Sequence, residues 1–453
     1  VTHPVPAQQR ALLRRITPVR LIFLGFLLVT GIGTGLLLLP AATVEGEQTD
    51  LIHALFTATS ALCVTGLTVL DTGSHWSGMG QAVILALIQL GGFGVMTFAT
   101  VVGMLVLGRL SLRSKLLAAA EAKSLGLADL RSLILGIVKI SLLVEAVLAL
   151  ILTLRFFFSY DMGLGEALWQ GVFHSVSAFN NAGFSLFSDS MMGFVSDPVI
   201  CFALSVAIIL GGLGFPVILQ LRRRFRTPRL WSMHTRIVLW ATAVLLLGGT
   251  CMILALEWSN PDTLGPLHWS DKLLAGFFQS VQTRTAGFNS IDISAMEPTT
   301  WLGMDVLMFI GGAPAGTAGG IKVTTFAVLL FIVFAELRGG AAVNIFGKRL
   351  SRAVHRQAIA VVLLAAALVV LSTGALMHVT GLPLDMVLFE TVSAFATVGL
   401  STGITADLPV SGQLLLVLLM FIGRVGPITF ASALALRERR TMYELPKERP
   451  IIG

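Results

Sequence analysis

The stretch VRLIFLGFLLVTGIGTGLLLLP at 19–40 carries no charge after Arg20 and has no polar face. A run of that kind is stable as a helix of about 20 residues that crosses a hydrocarbon core with its own backbone polar groups satisfied. Comparable runs recur along the chain, which is 55% hydrophobic and only 12% charged, with a mean hydropathy of +0.87. A soluble globular protein of average make-up does not have that balance. The chain therefore reads as an all-α polytopic membrane protein. The first run follows a basic start (Arg10, Arg14, Arg15, Arg20), but it exceeds the roughly 7–15 residues of a signal-peptide core and no A-x-A site follows. It reads as the first spanning helix.

The net charge is +7, and its distribution points to topology, not to nucleic-acid binding. Basic residues cluster at the N-terminus, at 109–131, 222–236 and 338–356, and in the tail at 437–449; acidic residues such as Asp50, Asp71, Asp189, Asp197, Asp292 and Asp407 fall between them. By the positive-inside rule both termini and three basic loops face the cytoplasm, and four acidic segments face out. Each interval must go out and return, which gives four two-helix units at 1–108, 109–222, 223–340 and 341–453. First helices are expected near 19–39, 133–157, 235–256 and 357–379, and second helices near 78–107, 198–221, 300–335 and 411–436. The three cysteines, Cys63, Cys201 and Cys251, are far apart and beside apolar segments, as buried inert thiols would be.

Between the two helices of each unit lies a related stretch: FTATSALCVTGLT (56–68), FHSVSAFNNAGFS (173–185), FFQSVQTRTAGFN (277–289) and FETVSAFATVGLS (389–401). In each, a phenylalanine stands ten residues before a glycine, small and hydroxyl residues fill the interval, and Leu or Phe follows. The glycines are Gly66, Gly183, Gly287 and Gly399. The third copy aligns fully only if one residue is dropped, so its pore helix is expected to be offset. The pre-glycine segments, ~12–14 residues long, are too short to span a bilayer. Each unit thus reads as helix, re-entrant half-helix, extended loop, helix. Non-helical backbone at membrane depth persists only where protein buries it or water reaches it. Four loops converging on one axis meet that condition, and their carbonyls can replace an ion's hydration shell. Glycine supplies backbone angles that a Cβ resists, and half-helices aim their partly negative C-terminal ends at the cavity, which favours a cation. One copy alone would equally fit close helix packing; four matched copies do not.

The four-fold array with single filter glycines, and above all ATSALCVTGLTVLDTG (58–73) and TRTAGFNSIDI (283–293), resembles the Trk/Ktr/HKT superfamily of potassium transporters. With eight expected spanning helices and no added N-terminal pair, it is most similar to the membrane subunit of Ktr-type systems. The resemblance implies a pore-forming subunit for K⁺ uptake in a bacterial-type plasma membrane, folded as a pseudo-tetramer within one chain. It also implies a homodimer and a cytosolic ring of nucleotide-binding RCK-type subunits, with no bond chemistry and no organic cofactor. Na⁺ stays open as a coupling ion. Carried onto this sequence, the filter would be formed by backbone carbonyls of Val64, Thr65 and Gly66; Asn181, Ala182 and Gly183; Thr285, Ala286 and Gly287; and Thr397, Val398 and Gly399. In the superfamily a serine at the first filter glycine accompanies Na⁺ preference, so Gly66 points to K⁺. The TVG at 397–399 begins the channel pentapeptide TVGYG, but Leu400 stands where a channel has Tyr, which implies a shorter and less selective filter. A Na⁺ or poorly selective cation path is the alternative. An intramembrane enzyme would need an HExxH, a GxSxG with its partners or a paired-Asp motif, and the sequence has none.

The second helix of the third unit is interrupted by breakers: Gly311, Gly312, Ala313, Pro314, Ala315, Gly316, Thr317, Ala318, Gly319 and Gly320. No stable helix keeps so many. The resemblance makes this the intramembrane loop that lies under the filter and gates it. The matching place in the fourth unit is FIGRVGPITF, with Arg424 mid-helix. A charge there costs several kcal/mol unless it faces a cavity or a partner, and the resemblance sets it beside the loop, where it would impede cations in the closed state. Lys322 has two readings, a second gating charge or a side chain snorkelling to the cytoplasmic interface. Lys139 and Glu145, six apart and so not on one helix face, would pair with other helices or lie near the helix ends. Glu390 would add negative potential near the entrance, His174 would be packed or hydrogen-bonded, and Arg284 would satisfy carbonyls behind the filter. The basic loops also fit contacts with anionic membrane lipids.

Overall fold

The computed structural model describes residues 18–108, 127–339 and 342–426; the basic stretches at 10–15, 109–126 and 437–449 lie outside them. The first unit comprises α1 (Pro18–Leu37), the half-helix α2 (Leu51–Cys63) and α3 (Gly78–Gly108). The second has α4 (Leu127–Ser159), half-helix α5 (Leu164–Phe179), and α6 (Pro198–Leu213) followed by α7 (Phe215–Arg224). The third has α8 (Met233–Glu257), half-helix α9 (Trp269–Gln282), α10 (Pro298–Phe309) and α11 (Val323–Leu337). The fourth has α12 (Arg352–Thr380), half-helix α13 (Leu384–Ala396) and α14 (Val410–Val425).

Among the described residues, Leu135–Ser159, Met233–Glu257 and Arg352–Thr380 are each long and apolar enough to cross a membrane. Their outer faces carry Leu143, Leu247 and Leu371, exposed by 64%, 66% and 71%. Water would not tolerate such a continuous apolar surface, whereas lipid covers it without cost. The buried side of the molecule is instead the half-helices: in α13, Phe389, Ala394, Phe395 and Ala396 are fully buried. Each half-helix packs against the first helix of its own unit, in three units also against the second, and each meets the second helix of the preceding unit. The latter contacts are α14 on α2, α3 on α5, α6 on α9 and α10 on α13, so the four units close into a ring.

The second helix of the second unit departs from expectation. In place of one helix over 198–221, the chain bends by 100° between α6 and α7. Gly214 turns the corner at φ +79°, and a Cβ on it would sit 2.6 Å from Pro314 O. Pro216 then opens α7, where its missing N–H is no loss. The Phe215 N–H freed by the break donates to Ala315 O at 3.1 Å. A hydrophobicity pattern cannot register such a bend, because both arms stay apolar. In the fourth unit α14 likewise stops at Gly426 (φ +91°), just before Pro427 in the sequence; the expected extension to 436 lies outside the described residues. The third unit breaks as expected, with residues 310–322 non-helical. The fold is helical apart from an unexpected hairpin, β1 (Asn344–Ile345) against β2 (Lys348–Arg349), whose two turn residues Phe346 and Gly347 both have positive φ.

Candidate functional site

Each half-helix ends in the same backbone figure. The residue two before the key glycine is left-handed: Val64 (φ 56°), Asn181 (59°), Thr285 (64°) and Thr397 (51°); the glycines follow at 92°, 70°, 80° and 94°. The loop N–H groups turn back onto their own half-helix. Thr65 N donates to Ser60 O (2.8 Å), Ala182 N to Ser177 O (2.7 Å), Ala286 N to Gln282 O (3.1 Å) and Val398 N to Ser393 O (2.8 Å). Gly66 N and Gly399 N also donate to the hydroxyls of Ser60 (3.2 Å) and Ser393 (3.1 Å). In the third unit the extra residue places Gln282 at that point, and its Oε1 accepts from Phe288 N at 3.2 Å. The offset is absorbed at the helix end, and the loop keeps its form.

With the donors spent on the scaffold, carbonyls are left at the junctions between units. A Cβ on Gly66 would lie 2.4 Å from Ala182 O, on Gly183 2.7 Å from Ala286 O, on Gly287 2.4 Å from Val398 O, and on Gly399 2.1 Å from Thr65 O. The sequence of contacts runs from unit to unit and returns to its start. No side chain fits anywhere in that ring, and the strain of positive φ would add to the clash. All four glycines also line a cavity of about 240 Å³, whose wall includes Asp71, Ser185, Asn289 and Ser401. A ring of inward backbone oxygens below a polar mouth can hold a dehydrated cation.

On the other side of the ring lies the loop of the third unit. Ile310 and Ile321 form a parallel bridge, so the loop leaves and re-enters the helical layer at one place. Between them Ala313 N donates to Gly212 O (2.9 Å) and Thr317 N to Gly211 O (3.1 Å). The Thr317 hydroxyl donates to Asn181 Oδ1 at 2.8 Å, and Gly319 packs so closely on Thr397 that a Cβ would lie 2.0 Å from its hydroxyl. Arg424, 5% exposed, donates through Nη1 to Thr317 O and through Nη2 to Gly91 O at 3.0 Å. The loop residues 311–320 and Arg424 are thus brought together directly against two of the four glycine-bearing segments. Lys322 also belongs to this group: its Nζ turns back to Ala318 O (2.6 Å) and Gly319 O (3.4 Å).

One repeat escaped the sequence reading. LGGFG (90–94), LGGLG (210–214), IGGAP (310–314) and IGRVG (422–426) occupy matching places in the second helices. Gly91, Gly211 and Gly423 each press on the last turn of their own half-helix, with a Cβ only 2.0, 2.0 and 1.7 Å from the carbonyls of Leu62, Phe179 and Phe395. Arg424 takes the place of the second glycine of the pair. The signal was a doublet of glycines two residues before another breaker, visible once all four units are aligned.

The remaining charges resolve as follows. Glu145 is buried and accepts from Gln89 Nε2 (3.1 Å) and from Asn180 Nδ2 (3.2 Å), which ties α4 to the end of the second half-helix; Lys139 is exposed on the same helix. Glu390 is fully buried and is bonded by the hydroxyl of Thr405, itself a residue of the cavity wall. His174 bonds Gln170 O (2.8 Å) and Ser185 Oγ (3.1 Å). Arg284 lies behind the ring, but it donates to Thr242 O of α8 (3.4 Å), not to filter carbonyls.

Known proteins share this architecture. The TrkH family model, described as a cation transport protein, matches residues 21–441. The chain is 41% identical over 435 residues to the Ktr system potassium uptake protein B of Vibrio alginolyticus, covering 96% of this chain and 94% of that protein. It is 40% identical over 427 residues to the protein of the same name from Bacillus subtilis (strain 168), covering 94% of each. The crystal structure of the potassium transporter TrkH from Vibrio parahaemolyticus has the same fold, with a TM-score of 0.68 at 20% identity over 91% of this chain and 84% of that one. With a match over nearly its whole length and relatives of equal extent, this chain belongs to the TrkH family of cation transport proteins.

Proposed function

We propose that this protein is the pore-forming subunit of a potassium uptake system. The observation that carries the proposal is the closed ring of Gly66, Gly183, Gly287 and Gly399, each abutting the carbonyl before the next. Oxygens of that kind favour a monovalent cation stripped of its water, and four half-helix C-termini add negative potential. In this reading the triplets ending at the four glycines are the selectivity filter. The 311–320 loop, Lys322 and Arg424 are the gate, and no covalent bond is made or broken. Gly66, where a serine would favour Na⁺, supports K⁺ as the preferred ion. The relatives named above as potassium uptake proteins support the same ion.

The boundaries between the four units would fall after residues 108, 222 and 340, with both termini and the basic loops on the cytoplasmic side of a plasma membrane. Those loops give a cytosolic nucleotide-binding ring and a second copy of the chain surfaces to dock on, and their charge suits anionic lipid. The deciding experiment is flux into liposomes that hold the purified protein, with Na⁺ present and absent. Rb⁺ should enter well ahead of Na⁺ and choline; equal passage would overturn the proposal, and a Rb⁺ flux that needs Na⁺ would make Na⁺ the coupling ion.

A further inference from the structure

Two before the filter glycine, three units have Val64, Thr285 or Thr397, and the second has Asn181. Asparagine tolerates the left-handed angles shared by these positions, yet Val and Thr adopt them here too, so the backbone alone does not call for an amide. The side chain has its own partners. Asn181 Oδ1 accepts from the Thr317 hydroxyl at 2.8 Å, and Nδ2 donates to Arg284 O at 3.4 Å. Asn181 and Thr317 are 1% and 0% exposed. Gly211 closes over them: a Cβ there would lie 2.8 Å from Asn181 Oδ1 and 2.8 Å from Thr317 Oγ1. The carbonyl of the same Thr317 accepts from Arg424. One loop residue is thus tied by its hydroxyl to the filter segment of the second unit and by its backbone to α14.

We propose that Asn181 and Thr317 form a latch through which the intramembrane loop and the filter sense each other, a proposal that rests on the transport function above. While the loop is seated, Thr317 satisfies the amide oxygen of a residue whose own carbonyl belongs to the filter. The loop cannot withdraw without breaking that bond. Asn181 Oδ1 is then left without a donor in a buried place, to be satisfied only by water or a cation entering behind the loop. Withdrawal therefore loosens the second filter segment as it clears the path, and flux and selectivity change together. Coupling of this sort is reciprocal, so an ion that orders the filter also favours one loop position.

The test compares wild type, Thr317→Val, Asn181→Ala, the double variant and Thr317→Ser, all in liposomes. Thr317→Val keeps the volume and removes the donor; it is expected to raise Rb⁺ flux roughly tenfold and to narrow the Rb⁺ over Na⁺ preference. Thr317→Ser restores the donor and should rescue both. In the Asn181→Ala background Thr317→Val should have no further effect. The latch is wrong if Thr317→Ser leaks as much as Thr317→Val, if selectivity stays constant while flux rises, or if the two substitutions simply add. Thermal unfolding of the same five proteins reads the bond independently of the ion carried, and the single variants should be non-additive in Tm. Non-additive melting alongside a wild type that passes no Rb⁺ would keep the bond and reject the potassium reading; additive melting would reject the latch itself.

Discussion

Arg424 donates through Nη1 to the backbone carbonyl of Thr317, joining the last described helix of the fourth unit to the loop of the third. Its Nη2 reaches on to Gly91 O of the first unit at 3.0 Å. A guanidinium can make that bridge because its donors are fixed in one plane; an ammonium presents a single point. Arg424→Ala removes both the buried charge and the tether; if the proposed gate is right, it is expected to raise unstimulated Rb⁺ flux roughly tenfold, about 1.4 kcal/mol of barrier. Arg424→Lys should recover only part of the restraint. Flux at or below the wild-type level in folded Arg424→Ala protein would show that the side chain does not hold the path closed.

The contacts rank the four ring glycines, the proposed filter. A Cβ meets backbone oxygen at 2.1 Å for Gly399 and at 2.4 Å for Gly66, and backbone cannot rotate aside as a side chain can. Gly66→Ser is expected to erode the Rb⁺ over Na⁺ preference roughly tenfold, the equivalent of about 1.4 kcal/mol. Gly399→Ala should do more damage, with loss of flux as well. Permeability ratios in liposomes measure both. Selectivity unchanged by Gly66→Ser would show that these carbonyls do not discriminate between ions.

Lys322 is the N-cap residue of α11, and its ammonium closes back on Ala318 O and Gly319 O. Both bonds lie within the loop, whereas those of Arg424 join three units. Lys322→Met keeps the aliphatic stem and should raise Rb⁺ flux by less than Arg424→Ala does. The same flux assay settles the order, and a larger effect at Lys322 would transfer the principal gating role to it.

The elements that repeat were legible in the sequence. Four half-helices and four glycines announced themselves because the chemistry of a re-entrant loop demands small residues at fixed spacing, and Arg424 stood out because a charge at membrane depth needs a reason. What stayed hidden was where the chain turns without changing hydrophobicity. The bend at Gly214 separates two apolar arms, so only contact with Pro314 and Ala315 of another unit explains it. Glu390 shows a related limit: its place in the half-helix is legible, but the burial of its carboxylate against the Thr405 hydroxyl depends on how residues 401–405 fold over it. The Asn181–Thr317 bond spans 136 residues, and no local pattern encodes it.

At the C-terminal end of α4, Arg155 Nε donates to Asp197 Oδ2 at 2.8 Å and the Tyr160 hydroxyl to the same oxygen at 2.9 Å, while Asp197 Oδ1 caps α6 through Val199 N (2.9 Å) and Ile200 N (3.2 Å). Burial by itself pushes the Asp197 carboxyl up, but the bonds from Arg155, Tyr160 and Ile200 together outweigh it and hold the group below its ordinary value of 3.8. The folded protein therefore binds this proton less readily than the unfolded chain. The stabilisation is present above the ordinary carboxylate value and is lost as pH falls through the lower, folded one. Asp197→Asn keeps a capping oxygen and removes the charge, so it should lower Tm at neutral pH toward the level that wild type reaches in acid, and should flatten the acid limb of a Tm-against-pH curve. Asp197→Ala loses the cap as well, about 1–2 kcal/mol, and should lower Tm at neutral pH too. An Asp197→Asn curve that stays parallel to wild type as pH falls through the carboxylate range would show that this carboxylate makes no pH-dependent contribution and that the α4–α6 junction is held by packing alone.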